Sequence, residues 1–406
     1  MVGLLTASLL VLSTAAVAQD DEATIETVTG GAGVPKATLP SGLPGSQAPD
    51  TVNNAARLDA LAGPLDVAPA LLHESWRGVE LLYLRRYKDG KAHFDAMTTR
   101  WPLSGVGPAG NALLYQGMMM ENFDFKWESQ YNTHSSQAVQ TLQAALKSPG
   151  AEPWERFLLG MMMGVESIHK MRKTDYFPAL SRGLEAMEHL SVAQRLAPSF
   201  ADAHLGDGLY LYWRSVVTLS HKALPSFGDA RPEGIQKMQT VEREGVFLSP
   251  GATLGLAFTW IEERDTPRAL EACQKNHRRY PDNVINNLVA SRVHLSRREL
   301  TQSLKMLDEV LEDAPDNERA HYYYATVYLR MGRLDDAERA LDKYLSFNLA
   351  PDQRAQALYR KGDVALRREH FSAARGHYEQ SASLGYKPAA EKLNRLASLE
   401  QAAATR

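Results

Sequence analysis

From Pro250 to about residue 388, small and bulky apolar positions return every 34 residues, separated by polar and charged ones. Within each period, position 8 is small or in tight contact, 20 is small, 24 bulky, 27 small and 32 often proline. Frames beginning at 250 and 284 put Ala269 and Ser303 at position 20, and Pro281 and Pro315 at position 32. The frame at 318 carries Ala325, Tyr328, Gly332, Ala337 and Leu341 in turn; after three extra residues the pattern resumes with Gly362, Phe371, Ala374, Tyr378 and Ser381. Apolar residues three or four apart predict two antiparallel helices per period. The helices approach where side chains are small, and bulky residues nearby fill the resulting holes.

The same spacing holds from 71 to 104, with Gly78, Gly90, Phe94 and Pro102 at positions 8, 20, 24 and 32. Beyond it, Ala138, Leu142 and Ala145, and then Ala186, Leu190 and Ala193 with Pro198, reproduce the second helix of a pair. Their partner glycines, Gly117 and Gly160, lie 21 and 26 residues upstream instead of 12. Gly208 opens another pair whose second helix, GIQKMQTVEREGV, is similarly delayed. Three expanded hairpins are therefore expected between regular ones. A final helix from Pro388 to about Ala403 carries a charged face, as the end of a repeat stack requires.

This arrangement resembles the tetratricopeptide repeat family, whose 34-residue helix-turn-helix units share that order of small and large positions. The resemblance covers about three quarters of the chain. It implies an all-α, right-handed superhelical solenoid of about eight repeats, three of them expanded, with a C-terminal capping helix. The expected organisation is a signal peptide at 1–18, a disordered Gly/Pro-rich tether at 19–69, expanded and regular pairs at 70–249, regular repeats at 250–388, and a cap and tail at 389–406.

Aligning the units places the runs Met118–Met120 and Met161–Met163 at one structural position in adjacent repeats. Consecutive helical residues point about 100° apart, so three methionines in a row cannot converge on one ion. They are expected to pack, not to ligate. In this family, positions 5, 9 and 12 line a concave groove. Here they supply Phe157, Met161, Leu205, Leu209, Tyr212, Leu254, Phe258 and Ile261, then Arg292, Tyr322, Arg330, Tyr359 and Arg367 at or beside the same positions. An open groove this apolar should not face water. Either a partner's helix or extended segment fills it, with the arginines pairing its acidic flank, or the hairpin tips or tether fold back into it. Position 9 of the regular repeats holds Phe258, Arg292, Thr326 and Asp363, so the family's clamp for a terminal carboxylate is not supported.

Insertions in stacked hairpins project to one edge, so the expanded tips should gather Trp127, Tyr131, His134, Glu166, His169, Trp213, Arg214, His221 and Asp229. Glu166 and His169 have E-x-x-H spacing, but a second such motif, which carboxylate-bridged di-iron bundles need, is missing. No metalloprotease, nucleophile-elbow or nucleotide-binding motif appears, so no metal, cofactor or catalytic activity is assigned. A metal- or small-ligand-binding protein using these tips is the alternative.

The chain has 406 residues, 44% hydrophobic and 23% charged, with a net charge of -3 that marks no nucleic-acid partner. Its single cysteine, Cys273, excludes an intramolecular disulfide and falls on a helix face, as a buried inert thiol would. The opening MVGLLTASLLVLSTAAVA ends in a small-x-small pattern at Ala16–Ala18, the mark of an export signal with its cleavage site. Together these features predict a periplasmic scaffold of the bacterial envelope that binds a protein or peptide, with no membrane span after cleavage.

Overall fold

The computed structural model describes residues 54–404, apart from Phe123, Pro149, Ala151, Thr174 and residues 221–227. The expected signal peptide, most of the expected tether and His221 lie outside the described residues. All regular structure among the described residues is helical. The helices are α1 (Asn54–Ala62), α2 (Pro69–Tyr83), α3 (Tyr87–Arg100), α4 (Val106–Asn122), α5 (Glu128–Ala145) and α6 (Pro153–Arg172). Then come α7 (Tyr176–Leu196), α8 (His204–Ser220), α9 (Arg231–Glu244), α10 (Ser249–Glu262), α11 (Thr266–Arg279) and α12 (Val284–Ser296). They end with α13 (Leu300–Asp313), α14 (Glu318–Met331), α15 (Leu334–Leu345), α16 (Pro351–Arg367), α17 (Phe371–Ser383) and α18 (Lys387–Ala404). The chain forms two compact units that divide between Val289 and Ala290, inside α12.

Small-to-large packing is what closes the hairpins. In α2–α3 a side chain at Gly78 would run into the Phe94 ring, and in α16–α17 one at Gly362 would meet Tyr378. Both are position 8 against position 24. Ala325, Ala337 and Leu341 are fully buried in α14–α15, and in α12–α13 the two hydroxyls Ser291 and Ser303 meet at 2.9 Å instead.

Each regular hairpin turns through one left-handed residue at position 15: Arg85, Arg264, Arg298, Gly332 and Glu369, with φ between 56° and 73°. The next residue's N–H then reaches back five positions, as in Arg86 to Leu81, Asp265 to Trp260, Glu299 to His294, Arg333 to Tyr328 and His370 to Ala365. This is a Schellman closure, which satisfies carbonyls that the helix end leaves open. Only one of the five positions uses glycine, although a side chain there costs about 1 to 2 kcal/mol.

The expanded hairpins differ in length. α6 has 20 residues and α7 has 21, against 14 and 12 in α14–α15. α6 ends at Lys173 with φ -86°, and the Asp175 N–H reaches back five positions to the Lys170 carbonyl, the same closing bond as in the regular hairpins. The methionine runs pack as expected: Met119, Met120 and Met161–Met163 are buried.

Residues 54–69, assigned by composition to the tether, are ordered. Leu58, Leu61 and Leu65 are buried, which supplies the apolar burial that a free tether lacks. At the other end, Ala389 and Leu396 of α18 close the core around Tyr359 and Tyr378.

Candidate functional site: the inner face and the expanded tips

In the N-terminal unit, the residues expected to line an apolar groove are core. Phe157, Met161, Leu205, Leu209, Tyr212, Leu254 and Phe258 are all buried, and Ile261 is half-buried. These residues do not line an open groove, because the unit packs on its own inner face, which is nearer to the alternative in which the chain itself fills the groove. Trp154 and Phe157 of α6, Phe200 and Phe247 form one aromatic cluster, with Phe157 and Phe200 centroids 4.7 Å apart in edge contact. α2 completes it: Trp76 meets Phe247 edge-on, and Tyr83 stacks obliquely on Tyr280 at 5.2 Å. The Tyr83 hydroxyl also donates to the Phe247 carbonyl at 3.0 Å, joining positions 164 residues apart. A cavity of about 30 Å³ remains beside Ser75, Phe94, Trp154 and Met161, room for about one water and not for a peptide side chain.

Asp202 pins the segment that carries Phe247. Its carboxylate accepts from the backbone N–H groups of Val246, Phe247 and Leu248 at 2.8, 2.8 and 2.6 Å. Burial pushes its pKa up to about 6 against these three donors. Arg57 of α1 bonds the neighbouring Glu244 carbonyl. α2, with Arg57 of α1 beside it, thus lies against this inner face.

In the C-terminal unit, Tyr322, Tyr359 and Arg292 are buried, Arg330 is half-buried and Arg367 is exposed. Tyr322 packs on Tyr344, and Tyr359 on Tyr378 and Tyr386. Arg330 and Arg367 hold equivalent places in successive hairpins and do equivalent work. Arg330 donates to the Leu295 carbonyl at 3.4 Å, and Arg367 to that of Leu329. Each therefore caps the first helix of the preceding hairpin, a structural use that the pairing with a partner's acidic flank did not anticipate.

The expanded tips form two local groups. Around α4, α5 and α6, His169 Nε2 lies 3.0 Å from Glu128, its Nδ1 lies 3.1 Å from Gln116, and its ring packs on Tyr131 at 4.6 Å. Tyr115 stacks on His134 and contacts Trp127. Burial lowers the pKa of both histidines. Glu166 accepts from Ser135 and Arg182 instead, so the E-x-x-H pair faces different partners. Around α8 and α9, Asp229 and Glu263 flank Arg231, the Tyr212 hydroxyl donates to Glu263, Trp213 packs on Tyr212, and Arg214 lies over Tyr210. No three His, Cys, Asp or Glu side chains among the described residues are grouped to hold a metal ion. Burial pushes the Cys273 thiol up to about 12, as in an inert cysteine.

Sequence reasoning missed Trp76, Tyr83, Asp202 and Phe247, whose partners lie in other repeats. It also missed the exposed face of α7, where Phe177, Leu180 and Leu184 are 88%, 50% and 53% accessible. Their spacing of three and four was a signal available in the sequence.

Residues 294–362 match the family model described as tetratricopeptide repeat. No curated protein matches the chain in sequence. Among solved structures, a human IFIT1 dimer with m7Gppp-AAAA aligns at a TM-score of 0.52 and 11% identity, over 86% of this chain and 85% of that one. A tetratricopeptide repeat protein from Parabacteroides merdae aligns at 0.43 and 15%, over 70% and 98% of the two chains. Pseudomonas aeruginosa pilF aligns at 0.43 and 13%, over 60% and 98%. Residues 294–362 are thus tetratricopeptide repeats, and the helices before and after them share the same all-helical, hairpin-built fold.

Proposed function

We propose that this chain is an exported scaffold that binds a protein segment within a bacterial cell-envelope assembly. The observation that carries the reading is the repeat match at 294–362, because this fold generally mediates protein–protein interaction. The opening apolar run with its Ala16–Ala18 cleavage pattern supports export. No helix among the described residues is long and apolar enough to cross a membrane. The closed inner face of the N-terminal unit directs the reading toward outer surfaces as the place of binding.

Two measurements test it together. Cell fractionation with N-terminal sequencing should find the chain in the periplasm beginning at Gln19. Crosslinking in cells followed by mass spectrometry should then recover an envelope protein. A cytoplasmic chain with its first eighteen residues intact would overturn the reading.

A further inference from the structure

α7 is apolar on two faces. Ala179, Ala186, Leu190 and Ala193 are buried on one side, which packs on α6. On the other, Phe177, Leu180 and Leu184 form a stripe in water at the spacing of one helical face. No other helix among the described residues exposes three large apolar side chains. Water-facing patches of this kind mark sites of association, whereas scattered single residues do not.

The charges around the stripe say what fits it. Asp175 stands just before it, and Glu185 and Glu188 stand at and beyond its far end, all exposed. The one basic residue inside the stretch, Arg182, is turned to Glu166 and Glu185 at 2.5 and 2.6 Å. Nearby Lys173 is bridged to Glu128 at 2.6 Å. The apolar stripe, about 10 Å long, is therefore bracketed by acid, with Asp175 and Glu188 about 20 Å apart at 1.5 Å per residue.

We propose that the outer face of α7 is the docking surface for a partner helix that is apolar at three-to-four-residue spacing and carries basic residues at both ends. The inference rests on the scaffold reading and gives its partner a chemistry. Such a helix lays its leucine-like side chains along Phe177, Leu180 and Leu184 while its basic ends meet Asp175 and Glu188.

The test uses the purified chain and two synthetic helical peptides of identical apolar face, one with lysine and one with glutamate at both ends. Fluorescence anisotropy should show the lysine peptide binding at least tenfold tighter. Leu180→Glu should abolish binding with circular dichroism unchanged, and Asp175→Lys with Glu188→Lys should reverse the preference. Equal binding of the two peptides, or binding that survives Leu180→Glu, overturns the proposal. So does a dimer in sedimentation that Leu180→Glu dissolves, which makes a second copy the occupant. Co-sedimentation with phosphatidylglycerol vesicles that the same variant loses overturns it in favour of lipid. Export and crosslinking are read separately, so failure here leaves the scaffold reading to its own experiment.

Discussion

Regular and expanded hairpins close alike and differ in what their length exposes. The regular ones turn tightly: five left-handed residues at one repeat position close five hairpins, and helices of 12 to 14 residues such as α14 and α15 pack small against large. The expanded ones are longer: α6 and α7 have 20 and 21 residues, keep the same five-position closure from Asp175 to Lys170, and leave apolar side chains in water. The difference teaches that repeat spacing governs how a hairpin closes, while added length decides what it presents.

The largest effect that could break this comparison is expected at Asp202, which pins the closed inner face between expanded and regular hairpins. Asp202→Ala strands three buried N–H groups and should cost about 3 kcal/mol in urea unfolding. The same group sets a pH dependence. Because burial raises its folded pKa to about 6, the folded chain retains a proton that the unfolded chain has released. Its contribution is full below about pH 4, the unfolded pKa, and is lost as pH rises toward 6. Asp202→Asn should flatten that slope in unfolding series across this window.

In a regular hairpin, Ala337→Leu should cost about 1 to 3 kcal/mol by overpacking a fully buried position, with hydrogen exchange rising first in α14 and α15. The smallest effects sharpen the contrast most directly. Arg298→Gly relieves a left-handed side chain and should stabilise by about 0.5 to 1 kcal/mol, read from the urea midpoint. Lys173→Gly, at a helix end where φ is -86°, relieves nothing and should destabilise by a similar amount. Equal signs for the two would show that the left-handed backbone at Arg298 carries no strain.

Much of the fold was legible because hairpin packing is local. Gly78 against Phe94 and Gly362 against Tyr378 are contacts within one repeat, sixteen positions apart, and the residue types state their sizes. The groove was not legible for the same reason. Whether Phe157 lines a channel or fills a core depends on how far stacked hairpins curve before they meet themselves. That depends on Trp76 and Tyr83 reaching Phe247 and Tyr280, which no local pattern displays. The arginines misled in a related way: Arg330 and Arg367 look like bait for an acidic ligand, yet each spends its guanidinium on the helix before it. Residues 54–69 were hidden by the Gly/Pro-rich company they keep in sequence.

The arginine caps give the C-terminal unit a direction. The last turn of α12 is completed by a group that the ribosome delivers some 35 residues later, and the last turn of α14 by one 38 residues later. Each new hairpin thus finishes its predecessor, so a chain cut after α15 loses the guanidinium that tops α14 and should fray from that end inward.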